Sequence, residues 1–312
     1  MLPKEKVWLL PEHGNLYKAN LHCHSTVSDG KFTPQQIKEM YMQRGYHAVA
    51  FTDHVKCVPH PELTDENFVA LTGVEIAFGL RVTKTSVHFC GISRDPMKAL
   101  NIPNEPLDDL QKINAGIELL RRENCITTFN HPRWSGVSTE TLTAIGNVDN
   151  FEVVNGYEAI QDGYGDSSAF FETELRRGRR VGPIGSDDSH TASAPGVPGY
   201  EYFHGFTVLK APQLTYSGLI HALDTGAFYA STGPMIRQLW LENNILHVEC
   251  SPASGIYVHG QEYCHRAAVI SGSDCIESAD IQLPDSFDRS SYLFVQVVDS
   301  QGKRAWSAPH WF

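Results

Sequence analysis

The sequence lacks the features that mark membrane proteins and nucleic-acid-binding proteins. None of its apolar runs approaches the roughly 18 residues needed to cross a bilayer, and the apolar stretch at residues 8–10 is too short for a signal peptide. Acidic residues outnumber basic ones by 36 to 25, which gives a net charge of −11, and no long basic stripe is present. We therefore expect a cytoplasmic protein that binds neither a membrane nor an extended nucleic acid.

Cysteine is present but shows no pairing pattern. The seven cysteines are spread along the chain without any Cys-x-x-Cys pair. This spacing argues against both a disulfide framework and a thiolate zinc site. We expect the cysteines to be reduced and mostly buried.

Two widespread catalytic motifs are also missing. The chain has neither a Gly-x-Ser-x-Gly elbow nor a phosphate-cradling P-loop, so a serine hydrolase and an NTPase are not expected. Apolar residues are plentiful, because 41% of the chain is hydrophobic and 10% is aromatic. That content can bury a large core, in one large domain or in one large and one small domain.

Up to about residue 230 the hydrophobic pattern is that of an α/β protein with a mainly parallel sheet. The clearest helix begins after Thr33, which can cap it, and ends at Gly45. Further helices are predicted over 107–123, 167–177 and 216–224. Predicted strands alternate with the helices and span 18–22, 48–52, 74–78, 86–91, 126–130, 151–154 and 181–185.

Beyond residue 230 the pattern changes to short strands separated by turn formers. These strands are predicted over 238–241, 246–250, 255–258, 267–270 and 292–298, with the first two joined by a turn at Asn243 and Asn244. Short strands at regular spacing are typical of an antiparallel β-sandwich. We therefore predict two domains, at 1–230 and 231–312, with the boundary near Ser231.

Histidines and carboxylates cluster where the predicted strands end. His22 and His24 point to the same side of an extended chain, while Cys23 points to the other side. In a β/α barrel the loops after the strands converge on one face, so side chains at these positions should meet there. The residues at such positions are His22, His24, Asp29, Asp53, His54, Glu75, His88, His131, Asp187, Asp188 and His190.

The order and spacing of these motifs resemble those of the polymerase and histidinol phosphatase (PHP) superfamily of metal-dependent hydrolases. The similar motifs are His-x-His, Asp, Thr-Asp-His, Gly-Val-Glu, His-Pro and Asp-x-His, over residues 18–192. The run from Asp224 to Pro234 also resembles the branch that contains carbaryl- and carbofuran-hydrolysing enzymes. The resemblance implies a distorted (β/α)7 TIM-like barrel with its metals at the carboxyl ends of the strands, followed here by the small C-terminal β-sandwich-like domain.

The resemblance also implies the ligands of two or three divalent metal ions. One ion would take His22, His24, Glu75 and Asp188, and Glu75 would bridge to a second ion held by His88 and His131. A third ion would take Asp29, His54 and His190. Glu75, Asp188 and His190 are the predicted catalytic residues, and a buried structural role stays open for His88. Because all these donors are nitrogen or oxygen and many are imidazoles, zinc, manganese or iron suit the set better than magnesium or calcium.

Several neighbours of the motifs are candidates for substrate contacts or for supporting roles. The rim candidates are Arg133, Trp134, Lys56 and His60, of which Arg133 and Lys56 are predicted to contact the substrate. Asp187 is predicted either to support the ligands or to contact substrate, and Asp53 to orient a ligand. The Arg176–Arg180 run ends a predicted helix, where it complements the helix dipole.

Three functions are compatible with this residue set. The first is a phosphoesterase that hydrolyses small anionic phosphate esters, either phosphomonoesters or nucleotides, by means of a metal-bridged hydroxide. The second is hydrolysis of carboxyl or carbamate esters by the same centre. The third is a non-catalytic, metal-bearing interaction module.

A pair of substitutions tests the predicted strand phase and the predicted metal role together. Glu75→Gln is expected to abolish turnover and leave the fold intact, because an amide lacks the charge and cannot bridge two cations comparably. Cys23→Ser is expected to leave turnover nearly unchanged, because Cys23 faces away from the neighbouring histidines. Rate, metal content and circular dichroism check both variants. A Glu75→Gln protein with normal rate and metal content, or a Cys23→Ser protein without metal, would contradict the assignment.

Overall fold

The computed structural model describes residues 3–80, 85–102, 110–191, 197, 199–262 and 266–312 as a mixed α/β protein. Its helices are α1 (Pro34–Met42), α2 (Leu110–Arg122), α3 (Thr139–Ala144), α4 (Gly156–Gln161), α5 (Ser168–Arg176) and α6 (Tyr216–Thr225). Its strands up to residue 231 are β1 (Val7–Leu10), β2 (Asn15–Asn20), β3 (Ala48–Phe51), β4 (Lys56–Cys57), β5 (Val69–Leu80), β6 (Thr85–Ser93), β7 (Leu100–Asn101), β8 (Cys125–Asn130), β9 (Asn150–Asn155), β10 (Gly182–Ser186), β11 (Phe206–Ala211) and β12 (Phe228–Ser231). The later strands are β13 (Ile236–Glu242), β14 (Ile245–Ala253), β15 (Gly255–Gly260), β16 (Arg266–Ile270), β17 (Ile276–Gln282), β18 (Tyr292–Val298), β19 (Arg304–Ser307) and β20 (His310–Trp311). None of the described helices is long and apolar enough to cross a membrane.

Eight consecutive strands of the large sheet position the residues singled out in the sequence, because Glu75 and His88 lie on two of these strands and the other predicted ligands follow strands of the series. Their order is β10-β9-β8-β6-β5-β3-β2-β11. The pairs β10–β9, β9–β8, β5–β3 and β3–β2 are parallel, whereas β8–β6, β6–β5 and β2–β11 are antiparallel. This series is therefore mixed, with four of its seven pairs parallel; the parallel order is interrupted because β5 and β6 form a hairpin and β6 runs against both of its neighbours.

The two ends of this strand series approach each other. The amide of Asp188, just after β10, donates to the carbonyl of His22, just after β2, at 2.9 Å, and the amide of His24 donates to Ser189 at 3.2 Å. The hydroxyl of Thr207 on β11 donates to the carbonyl of Gly185 on β10 at 2.9 Å. Over the described ranges no continuous ladder joins β10 to β2 or β11, so a closed (β/α)7 barrel stays a prediction.

The predicted helices form for local reasons that the sequence shows. Thr33 caps α1 by accepting the amide of Gln36, whose side chain accepts the Thr33 amide in return, and Pro34 takes the first helical position. The helices α5 and α6 lie within a residue or so of their predicted ranges, and α6 ends at Gly226 with φ 74°. The predicted start of α2, at residues 107–109, lies outside the described residues. The short helices α3 and α4 were not predicted.

One hydrophobic cluster connects the strands to α6. Small and branched side chains of successive strands meet α6 residues such as Leu219 in this cluster, with Ala19, Ala50, Leu71, Ile92, Ile126 and Ile184 as the strand members. Because side chains alternate along each strand, the neighbouring positions face outward toward α1, α2 and α5. This packing of the strands against α6 fixes the positions of the strand ends, where the predicted ligands lie.

The C-terminal strands are antiparallel, as expected, and belong to two sheets. A four-stranded sheet has the order β1-β13-β14-β17, so it includes the N-terminal strand. The remaining strands extend the large sheet through the pairing of β12 with β19. Inward side chains of both sheets, such as Leu239, Val248 and Val295, share one buried cluster. The division into domains at Ser231 stays a prediction.

The contact between β10 and β11 generates a stability test at Gly185. A β-carbon at this position would lie 2.7 Å from the carbonyl oxygen of Phe206, which is backbone and cannot rotate away. Gly185→Ala is therefore expected to lower the free energy of unfolding by about 1–3 kcal/mol, as overpacking usually does. The control is Gly79→Ala, whose β-carbon would meet nothing within 4 Å. Equal stability of the two variants in urea unfolding would contradict this close approach.

Candidate metal centre

The structure brings all nine predicted ligands together in three overlapping groups. Within each group the candidate donor atoms lie within 4.8 Å of one another. The groups share His24 and Glu75, so they form one continuous cluster. They are His22, His24, Glu75 and Asp188; Glu75, His88 and His131; and His24, Asp29, His54 and His190.

The first group is buried and compact. Asp188 Oδ1 lies 3.1 Å from His22 Nε2 and 3.2 Å from His24 Nε2, and the two imidazole nitrogens are 3.2 Å apart. Donors that share an ion at bond lengths of about 2.0–2.2 Å are separated by about 3.0–3.5 Å. The measured separations therefore match the edges of one coordination shell.

The second group exists because β6 runs in the reverse direction. His88 lies in the middle of β6 and pairs with Asn130 at the carboxyl end of β8, instead of ending a strand as the sequence pattern suggested. His88 Nδ1 lies 3.1 Å from Glu75 Oε1, and His131 Nε2 lies 3.6 Å from the same oxygen. The side chain of His88 thus reaches the cluster.

The third group is wider and more accessible. Asp29 lies 3.5 Å from His24 Nδ1, 3.7 Å from His54 Nε2 and 3.8 Å from His190 Nε2, and its side chain is 54% exposed. This group also contains His54 and His190, which are partly exposed. The cluster therefore opens to solvent on the Asp29 side.

An enclosed donor atom without a hydrogen-bond partner fits a bound cation. His24 Nδ1 is enclosed, makes no hydrogen bond and lies 3.5 Å from Asp29 Oδ1. Leaving such a group without a partner costs roughly 1–3 kcal/mol. Donors of this chemistry, oriented toward one another, would be satisfied by divalent ions.

The electrostatics of the cluster are those of carboxylates facing imidazoles at close range. Burial by itself raises the pKa of Glu75, but the charges of His22 and His88 outweigh it and hold the pKa well below its usual value. Burial lowers the pKa of His24, but hydrogen bonds to Asp188 and Glu75 outweigh this effect and raise it to about 9. The carboxylates are thus ionised and ready to bind a cation, which would displace the imidazole protons.

A buried carboxylate, Glu152 on β9, holds the cluster from behind. It accepts from His22 Nδ1 at 3.0 Å, from the His131 amide at 2.8 Å and from Asn155 Nδ2 at 2.9 Å. It also accepts the hydroxyl proton of Ser186. A carboxylate in this position fixes the tautomer and orientation of an imidazole ligand and raises its basicity.

Asp53 organises the loop that carries Asp29. Its carboxylate accepts the amide and hydroxyl of Ser25, both at 2.8 Å, and the amide and hydroxyl of Ser28 at 3.0 and 2.7 Å. Asp53 was predicted to orient a ligand, and these bonds hold the loop that leads to the predicted ligand Asp29. Gly30 completes the loop, and a β-carbon there would lie 2.2 Å from the His24 carbonyl oxygen.

Two of the cluster residues occupy unusual backbone conformations. His131, directly after β8, has φ 28°, and Asp188, the second residue after β10, has φ 52°. Non-glycine residues with positive φ cost free energy and persist where the surroundings impose them. Here the strain turns two side chains inward at the strand ends.

The predicted substrate-contact role of Asp187 was wrong. Its side chain is fully buried and accepts from Tyr41 Oη at 2.9 Å and from the amides of Phe203, His204 and Gly205 at 2.7–3.0 Å. A carboxylate enclosed by these four donors cannot reach a substrate. The alternative role, support behind Asp188, agrees with this position.

Of the three rim candidates Trp134, Lys56 and Arg133, only Trp134 packs directly against predicted ligands in the described part of the chain. Trp134 is 36% exposed, and its ring lies 4.9 Å from that of His131 and 5.5 Å from that of His88. The Lys56 ammonium donates to the carbonyl of Val27 at 2.8 Å, within the Asp29 loop. The Arg133 guanidinium lies over the ring of Tyr164 at 5.2 Å and donates to the carbonyl of Asp166 at 3.4 Å. Contacts of Lys56 and Arg133 with substrate stay predictions.

The remaining candidates have structural partners. His60 packs against Phe51 with ring centroids 5.0 Å apart. Arg177 and Arg179 pair with the buried Glu174 and donate to carbonyls at the end of α3. The arginine run is thus used for packing, and its contacts are with the end of α3 as well as with its own helix.

Three supporting residues were missed in the sequence. Besides Glu152, Asn155 Nδ2 donates to Asp188 Oδ2 at 3.1 Å, and Asn130 Nδ2 donates to Glu75 Oε1 at 2.7 Å. A signal for Glu152 was available, because it is a carboxylate within the apolar run Phe151–Val154. Asn130 ends a predicted strand and Asn155 directly follows another, but among residues at strand ends only histidines and carboxylates were considered as site residues.

The comparisons with known proteins find likeness of fold but not of sequence. No protein-family model matches the chain, and no curated protein matches it. A two-domain protein from Bacteroides vulgatus ATCC 8482, containing a predicted PHP-like metal-dependent phosphoesterase, has a similar structure with a TM-score of 0.50 and 14% identity, over 98% of this chain and 97% of that chain. An amidohydrolase from Chromobacterium violaceum, with bound sulfate and no metal, aligns with a TM-score of 0.42 and 14% identity, over 67% of this chain and 96% of that chain. At this identity the first likeness shows a similar overall fold.

The position of Glu152 generates a test of the cluster as a metal site. Four groups donate hydrogen bonds to the Glu152 carboxylate. In Glu152→Gln the side-chain NH2 group would face at least one of these donors, so a hydrogen bond would be lost and the His22 imidazole would be held less firmly. We expect metal affinity to fall by about 10–100-fold, as for other partners of metal-bound histidine. The matched control is Glu118→Gln at an exposed position of α2. Titration with Zn²⁺ followed by elemental analysis measures the effect, and unchanged affinity in Glu152→Gln would contradict the arrangement.

Proposed function

We propose that this chain is a metal-dependent hydrolase of the PHP superfamily that cleaves small phosphate esters. The observation that carries the proposal is the position of Glu75. Its Oε1 lies 3.2 Å from His22 Nε2 and 3.1 Å from His88 Nδ1, and its Oε2 lies 3.2 Å from both His24 Nε2 and His54 Nδ1. A carboxylate whose two oxygens face different imidazole sets is suited to bridge two ions.

Two or three ions of the zinc, manganese or iron class would supply Lewis-acid catalysis here, polarising the ester and activating water. The protein holds the donors in place: Glu152 orients His22, Asn130 orients Glu75, and Asn155 orients Asp188. His190 Nδ1 lies 2.8 Å from the carbonyl of Asp188, so its other nitrogen, Nε2, is left facing Asp29. Burial lowers the pKa of His54, which keeps its imidazole neutral and able to donate an electron pair.

A phosphate ester suits this centre better than a neutral ester. Bound divalent cations would outweigh the three negative charges of Asp29, Glu75 and Asp188 and would present positive charge to the substrate in a protein of net charge −11. The accessible Asp29 side provides an opening for a small substrate, and Trp134 borders the cluster next to His88 and His131.

The proposed carbaryl-hydrolase branch has no support within the site. Its motif run begins at the end of α6, where Asp224 pairs with Arg94 at 2.6 Å, and continues through β12. Ser231 then binds the carbonyl of Pro234 at 2.7 Å. These contacts are structural, so the run gives no reason to expect a carbamate substrate.

The proposal is tested with three substrates that share one leaving group. Protein loaded with Zn²⁺, Mn²⁺ or Fe²⁺ is assayed on 4-nitrophenyl phosphate, 4-nitrophenyl acetate and 4-nitrophenyl N-methylcarbamate. We expect kcat/KM to favour the phosphate by at least about tenfold, since the charged transition state is stabilised by the cations. Activity should disappear on chelation, return with metal and be absent in Asp188→Asn, with Glu118→Gln as the active control.

Each alternative predicts a different result. Preference for the acetate or the carbamate would replace the phosphoesterase by an ester or carbamate hydrolase. Full metal loading without turnover of any substrate would favour the non-catalytic module. Turnover that survives complete metal removal would contradict the proposal altogether.

A further inference from the structure

A second cleft lies beside the junction between β9 and the C-terminal strands. It is bounded by the segment Gly165–Asp166, by Phe203 and His204, by Thr232, which follows β12, and by residues of β19 and the turn before it. We call it the side cleft. Its volume is about 410 Å³, within the roughly 300–1,000 Å³ of small-molecule sites. None of its lining residues belongs to the metal cluster.

The side cleft has an apolar floor and a cationic rim. Val154, Phe203 and Trp306 supply the apolar surface, and Lys303 and Arg304 stand at the rim. Arg304 faces Asp166 at 3.5 Å, whereas the Lys303 ammonium makes no ion pair with any residue in the described part of the chain. Two basic side chains above an apolar floor are suited to a ligand with one anionic end.

Two further basic side chains lie next to the cleft. The Arg44 guanidinium lies 5.3 Å from the ring of Phe203, which lines the cleft, and the Lys18 ammonium lies 4.2 Å from the ring of Phe206. Burial, together with the nearby charges of Lys303 and Arg44, lowers the pKa of Lys18 to about 8 despite the attraction of Asp187. Like charges at such short range are stabilised by a bound anion.

A buried donor at the floor also lacks a partner. Trp306 is 2% exposed, and its indole N–H has no acceptor among the described residues. Its ring lines the cleft. A ligand with an acceptor atom and a flat apolar body would complement both the ring and its donor.

We propose that the side cleft binds a small aromatic anion. The cationic rim would pair with the anionic group, and the floor would pack against the aromatic body. This proposal does not depend on the hydrolytic function. The cleft is connected to the metal cluster, because the amide of His204 donates to Asp187 at 2.8 Å and the carbonyl of Gly165 accepts from the Asn155 amide at 2.9 Å.

Binding of naphthalene-1-sulfonate by the metal-loaded protein tests the proposal. Calorimetry should show binding at least about tenfold tighter than that of sulfate, which lacks the apolar body, or of naphthalene-1-methanol, which lacks the charge. Lys303→Glu should weaken binding at least about tenfold, and Lys303→Ala by less, because reversal adds repulsion. Lys4→Glu is the matched control, since Lys4 is also exposed and lies outside the cleft.

The His22→Ala variant separates the side cleft from the metal cluster. Binding should persist in this variant, because the cleft contains none of the predicted ligands. Loss of binding in a His22→Ala protein whose circular dichroism spectrum and unfolding midpoint match those of the unmutated protein would place the sulfonate at the metal cluster and overturn the proposal. Equal affinity in both Lys303 variants and the unmutated protein, or absence of binding at millimolar sulfonate, would overturn it as well.

Discussion

The pairing of Glu75 and Asp188 with buried imidazoles is the interaction on which the rest of the structure depends. Each carboxylate would be costly to bury alone, and each lies within 3.2 Å of at least two histidine nitrogens. The attraction keeps both pKa values well below their usual range despite burial. The fold must therefore bring residues distant in sequence to one point, and the strand ends, the reversed β6 and the positive-φ residues all serve that requirement.

Two buried carboxylates behind the predicted ligands, Glu152 and Asp187, connect the surrounding strands and support this centre. Glu152 connects the ends of β2, β8, β9 and β10, and Asp187 connects Tyr41 of α1 with the segment before β11. Because each carboxylate accepts from several donors at once, displacement of any one strand end would leave buried donors unpaired. The same contacts reach the side cleft through His204 and Gly165, so the two sites share a scaffold without sharing ligands.

The sequence was informative where the chemistry follows from local pattern. The period of two placed His22 and His24 together and Cys23 apart, and apolar runs located the strands that end beside His131 and Asp188. The reversal of β6 could not be read from its own residues, because strand direction is decided by pairing with β5 and β8. Glu152 and the asparagines were missed because their roles are defined by partners distant in sequence. The sheet of β1 with β13 was missed for the same reason.

Anomalous X-ray diffraction from crystals of the metal-loaded protein tests the central claim most directly. Data collected at the absorption edge of the bound metal locate each ion independently of any activity. The account predicts two or three ions per chain, with both oxygens of Glu75 in contact with ions and His22, His24, His88 and His131 among the ligands. Ions bound elsewhere, or a fully loaded protein in which Glu75 contacts none, would contradict it.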